Sequence, residues 1–391
     1  IIYGARRGKP IRKEVMQPKA ARNISIEALR LVAVAGIAIF HTFQWTFQAT
    51  CVGLPEYAPL ATFPYSGVLG FINLLGCWAN EVFFMISGFF LIASATRAWD
   101  GGATWKSQVQ RTAHRLGKVV MPTAFYCLVA LTWSTVVSPI PDVTLNTHYW
   151  FTLGLEFIWV YAAAVCMAPW FGLAKSRLPQ KTYKTTVIAV GILAFVVNGY
   201  LAAMSAASSG EFSWLQKLMS AATYVIAFLI GGLLRDVTDV MESDRAGALG
   251  MRSLATVLVL ATILEGALSF TGNLTAMAVL SYKSTSLFSF ALAAASLLFA
   301  ATRRSASGNP RTTGVIVTLS TATLGFYVMQ SLTSSLWRPV FNTLLANILV
   351  SQNSPAAICI ATGTVISIVF ALALLIIDAA RSLIDRKLKR Q

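Results

Sequence analysis

The chain has 391 residues, of which 56% are hydrophobic and only 12% are charged. This balance excludes a soluble globular domain and indicates an integral membrane protein. The formal net charge of +16 is compatible with nucleic-acid binding, but the basic residues are distributed as membrane topology requires. We therefore expect no nucleic-acid partner.

Hydropathy along the chain predicts an all-α integral membrane protein with about ten transmembrane helices. The predicted spans cover residues 28–48, 67–95, 118–138, 149–174, 184–206, 216–235, 251–270, 283–302, 312–331 and 356–378. The corresponding division of the chain is a basic arm at 1–27, a ten-helix domain at 28–378 and a basic tail at 379–391.

The positive charges predict the orientation of these spans. Only Lys217, Lys283 and Arg338 fall on the outer side, and the other 28 of the 31 Lys and Arg residues fall on the inner side. This positive-inside pattern predicts that both termini are cytoplasmic. The basic arm is also expected to contact anionic membrane lipid.

Cysteine spacing gives no indication of a disulfide framework or a metal site. The five cysteines are scattered, and no two of them have the spacing of a zinc site. We therefore expect no metal cofactor.

The first span carries two ionisable residues, Arg30 near its inner end and His41 well inside. They are eleven positions apart, which returns a helix almost to the same azimuth about 16 Å further along its axis. Titratable groups in hydrocarbon are costly and normally face the bundle interior. We predict that this face lines a reaction channel; the alternatives are a structural buried histidine and a helix-end arginine.

The second span runs antiparallel to the first and contains Glu81. Counted from the inner membrane face, Glu81 and His41 both lie roughly 20 Å deep. A carboxylate at that position is expected to orient the imidazole as a catalytic partner. The alternative is that Glu81 pairs elsewhere in the bundle.

Five further residues are candidates for substrate contacts. Arg111 and Arg115 share one face of a cytoplasmic helix and are predicted to bind cofactor phosphates, or to serve only as topology charges. His148, Trp150 and Glu156 are predicted near the outer face, where they would contact an acceptor or anchor the chain at the interface.

Ser87 and Gly88 are interpreted as a close-packing pair rather than a nucleophile.

Three motifs resemble those of the acyltransferase family 3 membrane proteins. Arg30 and His41 match the family's Arg-x10-His signature, within a segment at 26–33 that resembles Ile-Asp-x-Leu-Arg-x-x-Ala with Glu in place of Asp. Residues 81–89 resemble Asp-Leu-Phe-Phe-x-x-Ser-Gly-Phe, again with Glu for Asp, and 150–156 resemble Trp-Ser-Leu-x-x-Glu with one extra residue.

The resemblance implies a multi-pass protein of the bacterial inner membrane that transfers an acyl group. The donor would be cytoplasmic acyl-CoA, commonly acetyl-CoA, and the acceptor an extracytoplasmic glycan, lipid-linked sugar or cell-envelope polymer. In such an enzyme His41 would be the base or a transient acyl carrier, and Arg30 would bind the CoA phosphates or polarise the thioester. Two other functions remain open from the sequence. One is a transporter or exporter of a polysaccharide intermediate or small solute, and the other is a non-catalytic partner of a cell-wall enzyme.

Overall fold

In a computed structural model, the chain is described at residues 22–141, 143, 155–207, 213–281, 286–303, 309–351 and 355–388. These residues form helices and no strands, as the composition predicts. The helices are α1 Ile24–Cys51, α2 Tyr65–Asp100, α3 Trp105–Val136, α4 Glu156–Arg177, α5 Gln180–Ala207, α6 Ser213–Val240, α7 Ser243–Phe270, α8 Leu274–Leu280, α9 Leu287–Thr302, α10 Pro310–Thr321, α11 Thr323–Leu332, α12 Ser334–Ser351 and α13 Pro355–Leu388, with a 3-10 helix at Pro55–Ala61.

Within each of the ten predicted apolar stretches, the described residues are mainly helical. Among the described residues, eight helices are long and apolar enough to cross a membrane, and α10 and α11 together form a ninth candidate that is bent by 43°. The eighth predicted span corresponds to α9, which has only 16 residues. The chain is therefore a multi-pass, all-α membrane protein.

Contacts between helix ends sort the bundle into two faces. The side chain of Asn23, which caps α1, donates to Ala301 O at the end of α9 (3.3 Å). Lys175 at the end of α4 pairs with Asp236 near the end of α6 (2.5 Å). At the other face, Ser66 near the start of α2 bonds to Ser269 near the end of α7 (2.7 Å). These pairings agree with spans that alternate in direction.

The long helix α2 crosses α6 at backbone contact distance because both helices carry glycine there. A β-carbon added to Gly88 would overlap the carbonyl of Phe228, and one added to Gly231 would overlap the backbone of Met85. Small residues let membrane helices approach this closely. The packing interpretation of Ser87-Gly88 is thus confirmed for Gly88.

A different face of α2 packs on α1. Gly36 lies against the side chains of Trp78 and Ala79, and Gly76 lies against the ring of Phe40. These contacts fix the antiparallel register of the two helices.

The ninth crossing consists of three consecutive helices, which corrects the predicted topology. The descending helix α13 contacts α10, α11 and α12: Asp378 lies beside Gly325 of α11, and Cys359 clusters with Leu345 of α12. Between them, Ser367 donates to Thr42 of α1 (2.8 Å). The crossing therefore continues past residue 331, and α12 carries the chain through its outer half.

This extension also corrects the location of Arg338, which was predicted to lie on the outer side. Arg338 is in the second turn of α12 and contacts His41. His41 precedes the end of α1 by ten residues, or about 15 Å of helix. A hydropathy window misses this arrangement because two helix breaks and Pro339 interrupt the apolar pattern.

Candidate active site

A cavity of about 350 Å³ opens between α1, α2, α3, α4 and the bend at α10–α11. Arg30 and Ile37 of α1 both line it, and they share a helix face because seven residues separate them. His41 follows Ile37 by one turn on that same face. The structure thus brings Arg30 to the cavity, whereas His41 lies one turn beyond Ile37 and is not among the residues that line it.

Two cations stand at the inner part of this cavity. Arg30 is held by an ion pair with Glu27, in which Nη1 lies 3.0 Å from Oε2. Lys118 of α3 lines the cavity from the opposite side. Glu27 is 7% exposed, so it fixes the guanidinium at the cavity wall while the remaining Arg30 donors stay available to an anion.

Hydroxyl groups supply most of the other polar lining. Ser87 Oγ and Tyr161 Oη are hydrogen-bonded to each other at 3.0 Å. Further hydroxyls come from the bend between α10 and α11 and from the helix that follows: Ser320, Thr321, Thr323 and Tyr327. The cavity therefore combines an inner cationic part with a neutral, hydroxyl-rich wall.

His41 is partly exposed and makes two contacts through one ring nitrogen. Its Nδ1 lies 3.4 Å from Gln44 Oε1 and 3.2 Å from Arg338 Nη2. The guanidinium can only donate, so Nδ1 must accept from Arg338 or else donate to Gln44. With Nδ1 accepting, the proton of a neutral ring resides on Nε2; with Nδ1 donating, Nε2 is free to act as a base.

Glu81 is not the partner of His41, which corrects the predicted pair. Glu81 is fully buried, and neither carboxylate oxygen has a hydrogen-bond partner among the described residues. It lies seven residues before Gly88, so it shares the α2 face that packs on α6. The register of α1 and α2 also places it opposite the part of α1 about 10 Å below His41. The prediction that Glu81 and His41 lie at the same depth was wrong because it assumed that the two helices have no tilt and begin at the same height.

Arg111 and Arg115 differ in their surroundings. Arg111 is exposed, whereas Arg115 is half-buried and donates to Ser94 Oγ of α2 at 3.0 Å. Arg115 precedes Lys118, a cavity residue, by three positions on α3, so the two side chains share a helix face. Of the two predicted phosphate contacts, the structure thus brings Arg115 next to the cavity and leaves Arg111 at the surface.

Glu156 begins α4, and its two successors Phe157 and Ile158 line the cavity. Glu156 is exposed at this end of α4, and its predicted contact with an acceptor toward the outer face stays a prediction. His148 and Trp150 lie outside the described residues.

Four residues at the site were not singled out from the sequence: Gln44, Lys118, Tyr327 and Arg338. Gln44 is three residues from His41 on the same helix, a spacing that would have been a usable signal. No sequence signal linked Arg338 to His41, because the two are distant in sequence and Arg338 follows an interrupted apolar stretch.

Comparison with known families agrees with this arrangement. The family model described as "Acyltransferase domain", the acyltransferase family 3 model, matches residues 23–374. No curated protein and no solved structure matches the chain. The family match covers nearly the whole chain, including α1 with Arg30 and His41 and the helices that line the cavity. The chain therefore belongs to the acyltransferase family 3 and is a membrane acyltransferase.

Proposed function

We propose that this protein transfers an acetyl group from cytoplasmic acetyl-CoA to a hydroxyl of an extracytoplasmic glycan or cell-envelope polymer. The supporting observation is the single face of α1 on which Arg30 and Ile37 line a cavity and His41 follows Ile37 by one turn. The positive-inside charge pattern assigns the Arg30 end to the cytoplasm. The same pattern suits a multi-pass protein of the bacterial inner membrane.

In this proposal Arg30 and Lys118 bind the phosphates of CoA, with Arg115 at the edge of the site. Guanidinium and ammonium groups are strong phosphate ligands because their hydrogen bonds are charge-assisted. The cavity volume of about 350 Å³ lies in the range of ligand pockets. It suits the slender pantetheine arm, which would carry the thioester from Arg30 toward His41.

His41 is proposed as the general base. Nε2 takes the proton of the acceptor hydroxyl as its oxygen attacks the thioester carbonyl, forming a C–O bond. The C–S bond then breaks, and the CoA thiolate takes the proton back from the imidazolium. Gln44 is a positioning residue in this scheme because its carbonyl accepts from Nδ1–H, which leaves the Nε2 lone pair free.

Purified protein in lipid nanodiscs tests the proposal, with acetyl-CoA and a mixture of envelope polysaccharides as acceptors. We expect CoA release and acetylated product, both lost in His41→Ala. The matched control is His114→Ala, which removes an exposed histidine of α3 and is expected to retain activity. Full transfer by a folded His41→Ala protein would contradict the role of the imidazole.

A further inference from the structure

The side chain of Arg338 is a partly buried cation that has no anionic partner among the described residues. Its Nη2 contacts His41 Nδ1 at 3.2 Å, and its Nε has no hydrogen-bond partner among the described residues. In that part of the chain, no ion pair joins Arg338 to a carboxylate. An uncompensated charge inside a helix bundle is costly and marks a site where an anion is expected.

The guanidinium is held in place by its own helix. It lies over the ring of Trp337, 5.5 Å from the centroid. Trp337 is itself 8% exposed, and its Nε1 donates to Gln330 O at 3.0 Å. Arg338 is therefore an ordered donor beside His41 in the resting protein.

The contact with His41 has a chemical consequence. While Arg338 donates to Nδ1, a neutral imidazole carries its proton on Nε2 and has no free lone pair for a substrate hydroxyl. The base becomes available when Arg338 moves to another acceptor and Nδ1–H turns to Gln44 Oε1, now 3.4 Å away. The geometry thus describes a base whose lone pair is occupied in the resting protein.

We propose that the acceptor carries a carboxylate or phosphate group that binds Arg338 and thereby frees His41. This inference rests on the proposed acyl transfer and adds to it the chemical class of the acceptor. The acyl donor enters along the Arg30 cavity, and Arg338 lies on the outward-running helix α12, on the side from which the acceptor comes. Only an acceptor with an anion near its hydroxyl both docks and activates the base, so Arg338 determines specificity.

Three acceptors that share a pyranose frame test this inference: methyl glucoside, methyl glucuronoside and methyl glucoside 6-phosphate. In wild-type protein we expect kcat/KM at least about tenfold higher for one or both anionic acceptors, equivalent to about 1.4 kcal/mol. The carboxylate and phosphate arms separate the two anion types. Equal kcat/KM for all three acceptors would overturn the proposal.

Arg338→Gln separates specificity from a structural role. We expect the ratio of kcat/KM for the anionic acceptors to kcat/KM for methyl glucoside to fall toward one. Transfer to methyl glucoside should rise because Arg338 no longer occupies the base. Arg338→Lys keeps the charge and is expected to keep part of the preference, without the planar fork. A purely structural arginine would lower all three rates by one factor, and that result would also overturn the proposal.

A spectroscopic measurement tests the inference independently of turnover. The chain has three histidines, so 15N-histidine labelling gives few signals, and loss of one in His41→Ala assigns it. We expect resting His41 to be protonated on Nε2, and Arg338→Gln to move the proton to Nδ1. A resting Nδ1–H tautomer would contradict the inference. Absence of any acetyl-CoA turnover would instead count against the proposed function, which keeps the two failures distinct.

Discussion

Tyr126 of α3 donates a hydrogen bond to Asp378 of α13, with 2.7 Å between Oη and Oδ1. The same carboxylate oxygen accepts from Arg381 Nε at 2.7 Å, and Gly325 of α11 packs directly against the Asp378 side chain. One carboxylate therefore ties together three helices behind the bend that lines the cavity. This contact supports the cavity wall from the side that faces away from the cavity.

Asp378→Ala is expected to destabilise the protein strongly. Asp378 is 2% exposed, and removing it leaves Arg381 and the Tyr126 hydroxyl without their partner, a loss of about 3–5 kcal/mol for a buried pair. Thermal unfolding in detergent measures the change. Asp385→Ala is the matched control, since Asp385 also pairs with Arg381 but is 51% exposed. Similar unfolding temperatures for the two variants would show that burial does not decide the effect.

Gly88→Ala is expected to force α2 and α6 apart. The added β-carbon overlaps the backbone of Phe228, which cannot give way as a side chain would, so we expect a loss of about 1–3 kcal/mol. Gly117→Ala of α3 is the control because nothing lies within 4 Å of its added carbon, and helix propensity favours that change. Unfolding temperature and size-exclusion profile report both variants. A stable, monodisperse Gly88→Ala protein would refute this close contact.

Arg30→Ala is expected to weaken acetyl-CoA binding while the protein still folds. A charge-assisted hydrogen bond contributes about 1.5–3 kcal/mol, which corresponds to roughly 10- to 150-fold in Kd. Calorimetric titration of the purified protein with acetyl-CoA measures it. Arg252→Ala removes an exposed arginine of α7 and is expected to leave Kd unchanged. An unchanged Kd in Arg30→Ala would argue against phosphate binding at this end of the cavity.

Gln44→Leu is expected to lower kcat by roughly 10- to 100-fold, with KM for acetyl-CoA little changed, because it removes an orienting partner of the base. Gln48→Leu, one turn further along α1 and exposed, is the control. Gln44→Glu should restore an acceptor for Nδ1–H and recover part of the activity. Wild-type kcat in Gln44→Leu would show that His41 does not depend on this amide.

Glu81→Gln is expected to leave the 15N chemical shifts of His41 unchanged. The two side chains lie on helix faces directed toward different neighbours, because Glu81 shares the α6-packing face of α2 whereas Phe40 and Gly36 contact its α1-packing face. Gln44→Leu, by contrast, should shift them. A large shift in Glu81→Gln would restore the pair that the register of α1 and α2 excludes.

The sequence by itself determined the membrane class, the apolar stretches and the face that joins Arg30 to His41. These properties follow from local composition and from the fixed period of one helix, so no neighbour is needed to predict them. The partner of His41 was decided by the tertiary structure alone. Arg338 and His41 are 297 positions apart. Glu81 was misassigned because counting residues from the membrane face takes no account of helix tilt or of the direction in which each side chain points. Which side chains meet inside a bundle depends on where two helices cross, and glycines such as Gly76 and Gly88 set those crossings through contacts that only the assembled helices reveal.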